Sequence, residues 1–213
     1  MRYRALLAAA FAAVLALMLS ALVHSGRDPV AVQAASGALP AYAANGDLLP
    51  PKDYRQWTFL TSGFDMSYSP MASSGDSSRF DNVFVNPAAY DSFLATGTWP
   101  DKTMLVLEVR AARSRGSINQ HGDYQDTTIA DLEIHVKDEH RFPGKWAFFS
   151  FDSPNSNGTL IPAGAPCYTC HAAHGAVDNT FVQFYPTLLP VARQKSTLSA
   201  AFQKESKADG ESR

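Results

Sequence analysis

The chain's only two cysteines stand three positions apart with a histidine directly after the second, as Cys167-Tyr168-Thr169-Cys170-His171. Whatever the fold, it must present these five residues as one local site, because so close a pair cannot staple distant segments together. The spacing is that of c-type haem attachment: two thiols reach the two vinyl groups, and the next residue offers imidazole to iron. Three other uses compete. A redox dithiol wants the pair at the start of a helix after a strand in a βαβ unit, whereas this pair follows a Pro/Gly-rich loop, Ile161-Pro162-Ala163-Gly164-Ala165-Pro166. A zinc site would have to crowd its ligands into the motif plus His174, without the long ligand gap of a finger. A plain local disulfide is the third. The expectation is one covalently bound haem c, held through Cys167 and Cys170, with His171 as the iron ligand.

The N-terminus suits that chemistry. Met1-Arg2-Tyr3-Arg4 precedes an uncharged apolar run over residues 5–23, the charged region and apolar region of a secretory signal. Cytochrome c maturation takes place outside the cytoplasm, so a periplasmic location follows. Small residues at 34–36 and 41–44 offer several cleavage points. Left uncleaved, the run is about long enough to cross a bilayer, and membrane contact is expected only in that case. A chain of 213 residues then holds one ordinary domain. We divide it into a signal and flexible lead-in (1–44), a haem-binding domain (45–192) and a polar tail (193–213), frayed or disordered, with order beginning near Pro51. A net charge of -2 gives no footprint for nucleic acid.

Pro51 at a first helical position starts a short helix that carries Trp57 and Phe59 inward. Residues 67–78 are a Ser/Gly surface loop. Residues 80–85 read as a strand running into Asn86 as N-cap, Pro87 as first helical residue and Gly97 as stop. Three more strands follow at 104–110, 131–138 and 146–151, rich in β-branched, aromatic and aliphatic residues. In 131–138, Leu132, Ile134 and Val136 alternate with Glu133, His135 and Lys137, so one face is buried and the other wet or functional. No regular helices separate these strands. The fold class is therefore α+β, a mainly antiparallel sheet with a few packed helices forming a single haem-binding domain.

His174 would share a helix face with His171 and cannot easily reach the opposite side of a haem. By residue type, a sixth iron ligand could come from Met66, Met71, Met104, His121, His135 or His140. Without one the axial site stays open.

Over residues 54–186 the chain resembles the cytochrome P460 family. The resemblance is carried by Phe84-Val85-Asn86-Pro87-Ala88-Ala89-Tyr90, Gly97-Thr98-Trp99-Pro100-Asp101, Val136-Lys137-Asp138, Arg141-Phe142-Pro143-Gly144-Lys145-Trp146, the Cys167 to His171 motif, and Asp178-Asn179-Thr180-Phe181-Val182-Gln183-Phe184-Tyr185-Pro186. It implies an exported haem protein with His171 proximal and five-coordinate iron open to small ligands. The family's enzymes oxidise hydroxylamine and bear a lysine cross-link to the haem. Leu107 falls at that lysine's place, which brings the chain nearer to the relatives called cytochromes c′-beta, binders of nitric oxide in an apolar pocket. Lys102 and Lys137 read as solvated lysines at strand ends.

Glu133 and Glu108 are candidate carboxylates beside the haem, where a general base would assist deprotonation of hydroxylamine. Glu133 is preferred as the catalytic residue, because its strand sets it opposite the apolar Leu132 and Ile134 face. Phe64, Phe84, Phe93, Trp146 and Phe149 are candidates to cap the pocket. The expected function is a c-type monohaem cytochrome that binds or redox-processes small nitrogen ligands, nitric oxide or hydroxylamine, and passes electrons to a periplasmic redox partner. The alternative is a six-coordinate electron-transfer cytochrome, periplasmic or membrane-anchored. Oligomeric state is open, a homodimer included.

Overall fold

Every strand pairing among the described residues is antiparallel, which is why the sheet needs no crossover helices. The computed structural model describes residues 39–68 and 78–208, all within one compact unit. Six strands run in sequence order across one sheet: β1 (Thr58–Phe64), β2 (Arg79–Val85), β3 (Met104–Arg113), β4 (Tyr124–Lys137), β5 (Trp146–Ser150) and β6 (Thr159–Leu160). Four helices accompany them: α1 (Pro87–Thr96), α2 (Pro166–His174), α3 (Leu189–Lys195) and α4 (Ala200–Ala208). The α+β expectation holds. Met71 and the apolar run at 5–23 lie outside the described residues, and among those described no helix is long and apolar enough to cross a membrane.

The register sorts side chains onto two faces. Phe84, Val106, Ile134 and Phe149 are cross-strand neighbours on one; with Leu132 and Val136 they form a core that residues 39–57 cover through Leu48, Tyr54 and Trp57. On the other face Val85, Leu105, His135 and Phe148 follow one another across the strands, as do Val83, Leu107 and Glu133. Part of this second face packs on the helices, through Ala89, Phe93, Leu188, Ala192 and Phe202. The remainder is the wall of a cavity.

Helix α1 shows how local sequence fixes the boundary. Pro87 fills the first position, and Gly97 closes the helix at φ 78°, its N–H donating to the Phe93 carbonyl at 2.7 Å. Asn86 occupies the N-cap position but spends its side chain on β3: its Oδ1 accepts from the Met104 N–H at 2.8 Å. Phe93 is fully buried against Trp99, ring centroids 4.4 Å apart. Phe93→Ala is expected to lower unfolding free energy by about 3–5 kcal/mol, measured as a fall in urea midpoint at constant m-value.

The structure also differs from the sequence reading. Residues Tyr54–Gln56 make only a single 3-10 turn; Trp57 is buried but Phe59 is 52% exposed, since it lies on the edge strand with only Phe84 beside it across the ladder. Order begins well before Pro51, with Tyr42 bridged to Leu48. The tail reading gives way at Phe202, which α4 buries in the helical core.

Candidate haem site

The motif occupies helix α2, with Pro166 at its first position. Residues at i, i+3 and i+4 share a helix face, so Cys167, Cys170 and His171 all point to one cavity of about 540 Å³. Tyr168, on the other side of the helix, pins it to β5: its hydroxyl donates to the Ile161 carbonyl at 2.9 Å and accepts from the Phe148 N–H at 3.3 Å. Gln183 holds the helix end, its amide donating to the His174 carbonyl at 2.8 Å.

The His171 ring is fixed. Its Nδ1 lies 2.9 Å from the Asn179 carbonyl oxygen; a carbonyl only accepts, so Nδ1 carries the proton and Nε2 is left with its lone pair for a metal. Phe181 packs on the ring at 4.1 Å and Phe148 meets it edge-on at 4.7 Å. Burial holds the imidazole below its ordinary proton affinity, an effect partly offset by the Asn179 hydrogen bond.

The cysteines are not joined to each other. Burial pushes the Cys167 thiol up, opposite to the lowered thiol of a redox dithiol. Among the described residues no three His, Cys, Asp or Glu side chains converge as a metal cluster needs, so the zinc alternative has no ligand set. His174 is half exposed and pairs with Glu205 at 3.1 Å.

Glu133 lines the cavity, cross-strand from Leu107. Burial, then the neighbouring Asp131, pushes its carboxyl above the usual range. Glu108 lies on the other face: it is 2% exposed and takes hydrogen bonds from Tyr54, Arg55 and Arg110. Those donors hold its carboxyl low against the opposing effect of burial. Of the two candidates, only Glu133 is at the site.

The axial candidates separate as cleanly. Met104 is buried in the opposite core, and His121 and His140 are exposed and away from the cavity. His135 lines the cavity but stands beside His171, ring centroids 5.0 Å apart and nearly perpendicular. Two imidazoles on either side of an iron need roughly 6 Å, with metal–nitrogen bonds near 2 Å. Instead His135 stacks on Phe148 at 3.9 Å and is held neutral by burial. Met66 remains, at the cavity edge.

None of the five proposed aromatic caps lines the cavity. Phe84 and Phe149 face the opposite core, Phe93 and Trp146 belong to the helical core, and Phe64 packs on Phe80. The cavity takes Phe148, Phe181, Phe184, Tyr68 and Tyr185 instead. Asp81 also lines it, its carboxyl raised by burial; sequence reasoning missed it, although its alternation with Val83 on a strand was readable. The Asn179 carbonyl was missed too, where the Asp178-Asn179 pair is a turn signal.

A family model for Cytochrome P460 matches residues 51–182, more than half of the chain. The chain belongs to the cytochrome P460 family. No curated protein matches it. As a member of the cytochrome P460 family it is a haem cytochrome, and the donor set fits that group: two unjoined thiols one helical turn apart, an imidazole with Nε2 free, and an adjoining cavity walled by aliphatic and aromatic side chains. Leu107 does face the cavity. Lys102 pairs with Asp138 at 2.5 Å. Lys137 is buried, contrary to the solvated reading, and pairs with Asp178. No lysine of this chain lines the cavity, and all its lysines lie within the described residues.

Proposed function

We propose that this protein is an exported c-type monohaem cytochrome whose open iron site captures small nitrogen ligands, nitric oxide or hydroxylamine, and passes electrons to a periplasmic redox partner. Cys167 and Cys170 hold the haem by thioether bonds and His171 ligates its iron. The haem supplies an iron centre that binds the ligand and exchanges one electron at a time. The chain's own residues do the rest: Leu105, Leu107 and Val83 keep the cavity wall apolar, and the Glu133 carboxylate receives a proton when the ligand carries one. The observation that carries the reading is Leu107 opposite Glu133 in a cavity that no lysine lines. It supports an unmodified haem with an open site.

Met66 at the cavity edge favours a second reading, a six-coordinate electron carrier with thioether ligation. Spectra of the reduced holoprotein separate the two. An ordinary c-type pyridine haemochrome with a high-spin reduced band that shifts under carbon monoxide supports the open site. A low-spin spectrum indifferent to carbon monoxide, restored to reactivity by Met66→Ala, supports the carrier. A strongly red-shifted reduced band with an abnormal haemochrome shows a macrocycle cross-link and overturns the assignment at Leu107.

A further inference from the structure

Lys137 ends β4 with its side chain only 8% exposed, an expensive place for an ammonium group unless acceptors surround it. They do. Its Nζ donates to the Trp99 carbonyl at 2.7 Å and to Asp178 Oδ2 at 2.5 Å, with Glu139 Oε1 at 3.5 Å. Asp178 and Asn179 are the two central residues of a tight turn, both left-handed, at φ 50° and 60°, and Val177 and Thr180 close it with reciprocal backbone hydrogen bonds of 3.3 and 2.9 Å. The same lysine reaches the far side of the turn through Trp99, whose indole N–H donates to Thr180 Oγ1 at 2.8 Å; that hydroxyl donates to the Val177 carbonyl at 2.6 Å. Between the turn and the motif helix there is no slack. A Cβ on Gly175 would stand 2.6 Å from the His171 carbonyl and 2.8 Å from the Thr180 nitrogen.

The product of this bracing is one aimed atom. The Asn179 carbonyl leaves the turn toward His171 Nδ1 at 2.9 Å. We propose that Lys137 is a positioning residue for the haem ligand: through its ion pair with Asp178 and its bond to the Trp99 carbonyl it locks the turn that holds the Asn179 carbonyl on His171. The inference rests on the reading of His171 as the iron ligand. Lys137 is absent from the cavity lining, so its path of contacts to the iron runs through the imidazole. A firm acceptor on Nδ1–H makes an imidazole more basic and favours ferric iron; a loosened one weakens the iron–imidazole bond and favours ferrous iron.

The test uses haem-loaded full-length protein and its Lys137→Met, Lys137→Arg, Asp178→Asn and Lys137→Met/Asp178→Asn variants. Asparagine at 178 keeps the shape, tolerates the left-handed backbone and removes only the charge, so it carries the test should Lys137→Met fail to fold. Two readouts are taken: the ferrous iron–imidazole stretching band, identified by iron-isotope shift, and the reduction potential. Lys137→Met and Asp178→Asn are each expected to lower the band frequency. Each should move the ferric/ferrous ratio about tenfold toward ferrous at fixed ambient potential, about 59 mV for a one-electron couple. Lys137→Arg should restore most of both, and the double variant should add nothing to Lys137→Met. Band and potential that stay put while melting temperature falls would reduce Lys137 to a stabilising residue and overturn the proposal. An iron–imidazole band missing from both the wild-type protein and its Met66→Ala variant would overturn the ligand assignment itself, a distinguishable result.

Discussion

Haem that survives acid-acetone extraction in the wild-type protein is expected to be extracted completely from a Cys167→Ala/Cys170→Ala variant. Helix α2 presents both thiols to the same cavity as His171. Each single variant should retain one thioether and show an intermediate haemochrome band. In the double variant haem is held only by His171 and apolar contact, so it becomes an ordinary ligand of the folded state. Its stabilisation then grows with free haem as RT ln(1 + [L]/Kd), and the melting temperature should depend on haem concentration where that of the wild type does not. Covalent haem persisting in the double variant would remove the c-type assignment while leaving family membership intact.

The parts of the molecule that sequence made readable are those written in local rules. Pro87 and Gly97 bound α1 because a fixed φ and a left-handed φ are properties of single residues. The alternation in β4 located Glu133 and His135 on the functional face, because period two is intrinsic to a strand. What was hidden depends on partners. The first half of β4, Tyr124 to Ala130, is polar and Thr-rich, and pairs with β3 as an exposed hairpin; no burial pattern announces it. Phe202 sits in a segment that is charged elsewhere, and its burial follows from α4 meeting the helical layer. Lys137 read as solvated since lysine almost always is; its two hydrogen-bond acceptors, the Trp99 carbonyl and the Asp178 carboxylate, are both distant from it in the chain. Glu108 and Glu133 look alike in sequence and are separated by strand parity alone: one residue of register puts Leu107, not Glu108, across from Glu133.

The second large effect is expected at Glu133. Hydroxylamine carries protons that must leave as its electrons are withdrawn, and the carboxylate lining the cavity is the group placed to accept them. Glu133→Gln keeps volume and hydrogen-bonding reach but cannot take a proton, so hydroxylamine-dependent reduction of an external acceptor should fall by about 10²–10⁴-fold, with covalent haem content unchanged. Its pH dependence follows from the raised proton affinity of Glu133, caused by burial and by Asp131. Wild-type activity should rise with pH through a midpoint above the ordinary carboxylate range, and this acid limb should be missing from the residual activity of the variant. Stability moves the other way. A carboxyl whose folded-state pKa is raised is penalised when ionised, so Glu133 destabilises the fold fully at pH above its folded pKa and not at all below its unfolded one. At neutral pH the glutamine variant should therefore unfold at a higher denaturant concentration than wild type, and that advantage should shrink as pH falls below the raised folded pKa and vanish below the unfolded one. A variant that is stabilised yet oxidises hydroxylamine at the wild-type rate would show a carboxylate buried to no catalytic end. Nitric oxide brings no proton for Glu133 to take, and with that result its capture becomes the function that the apolar wall at Leu107 serves.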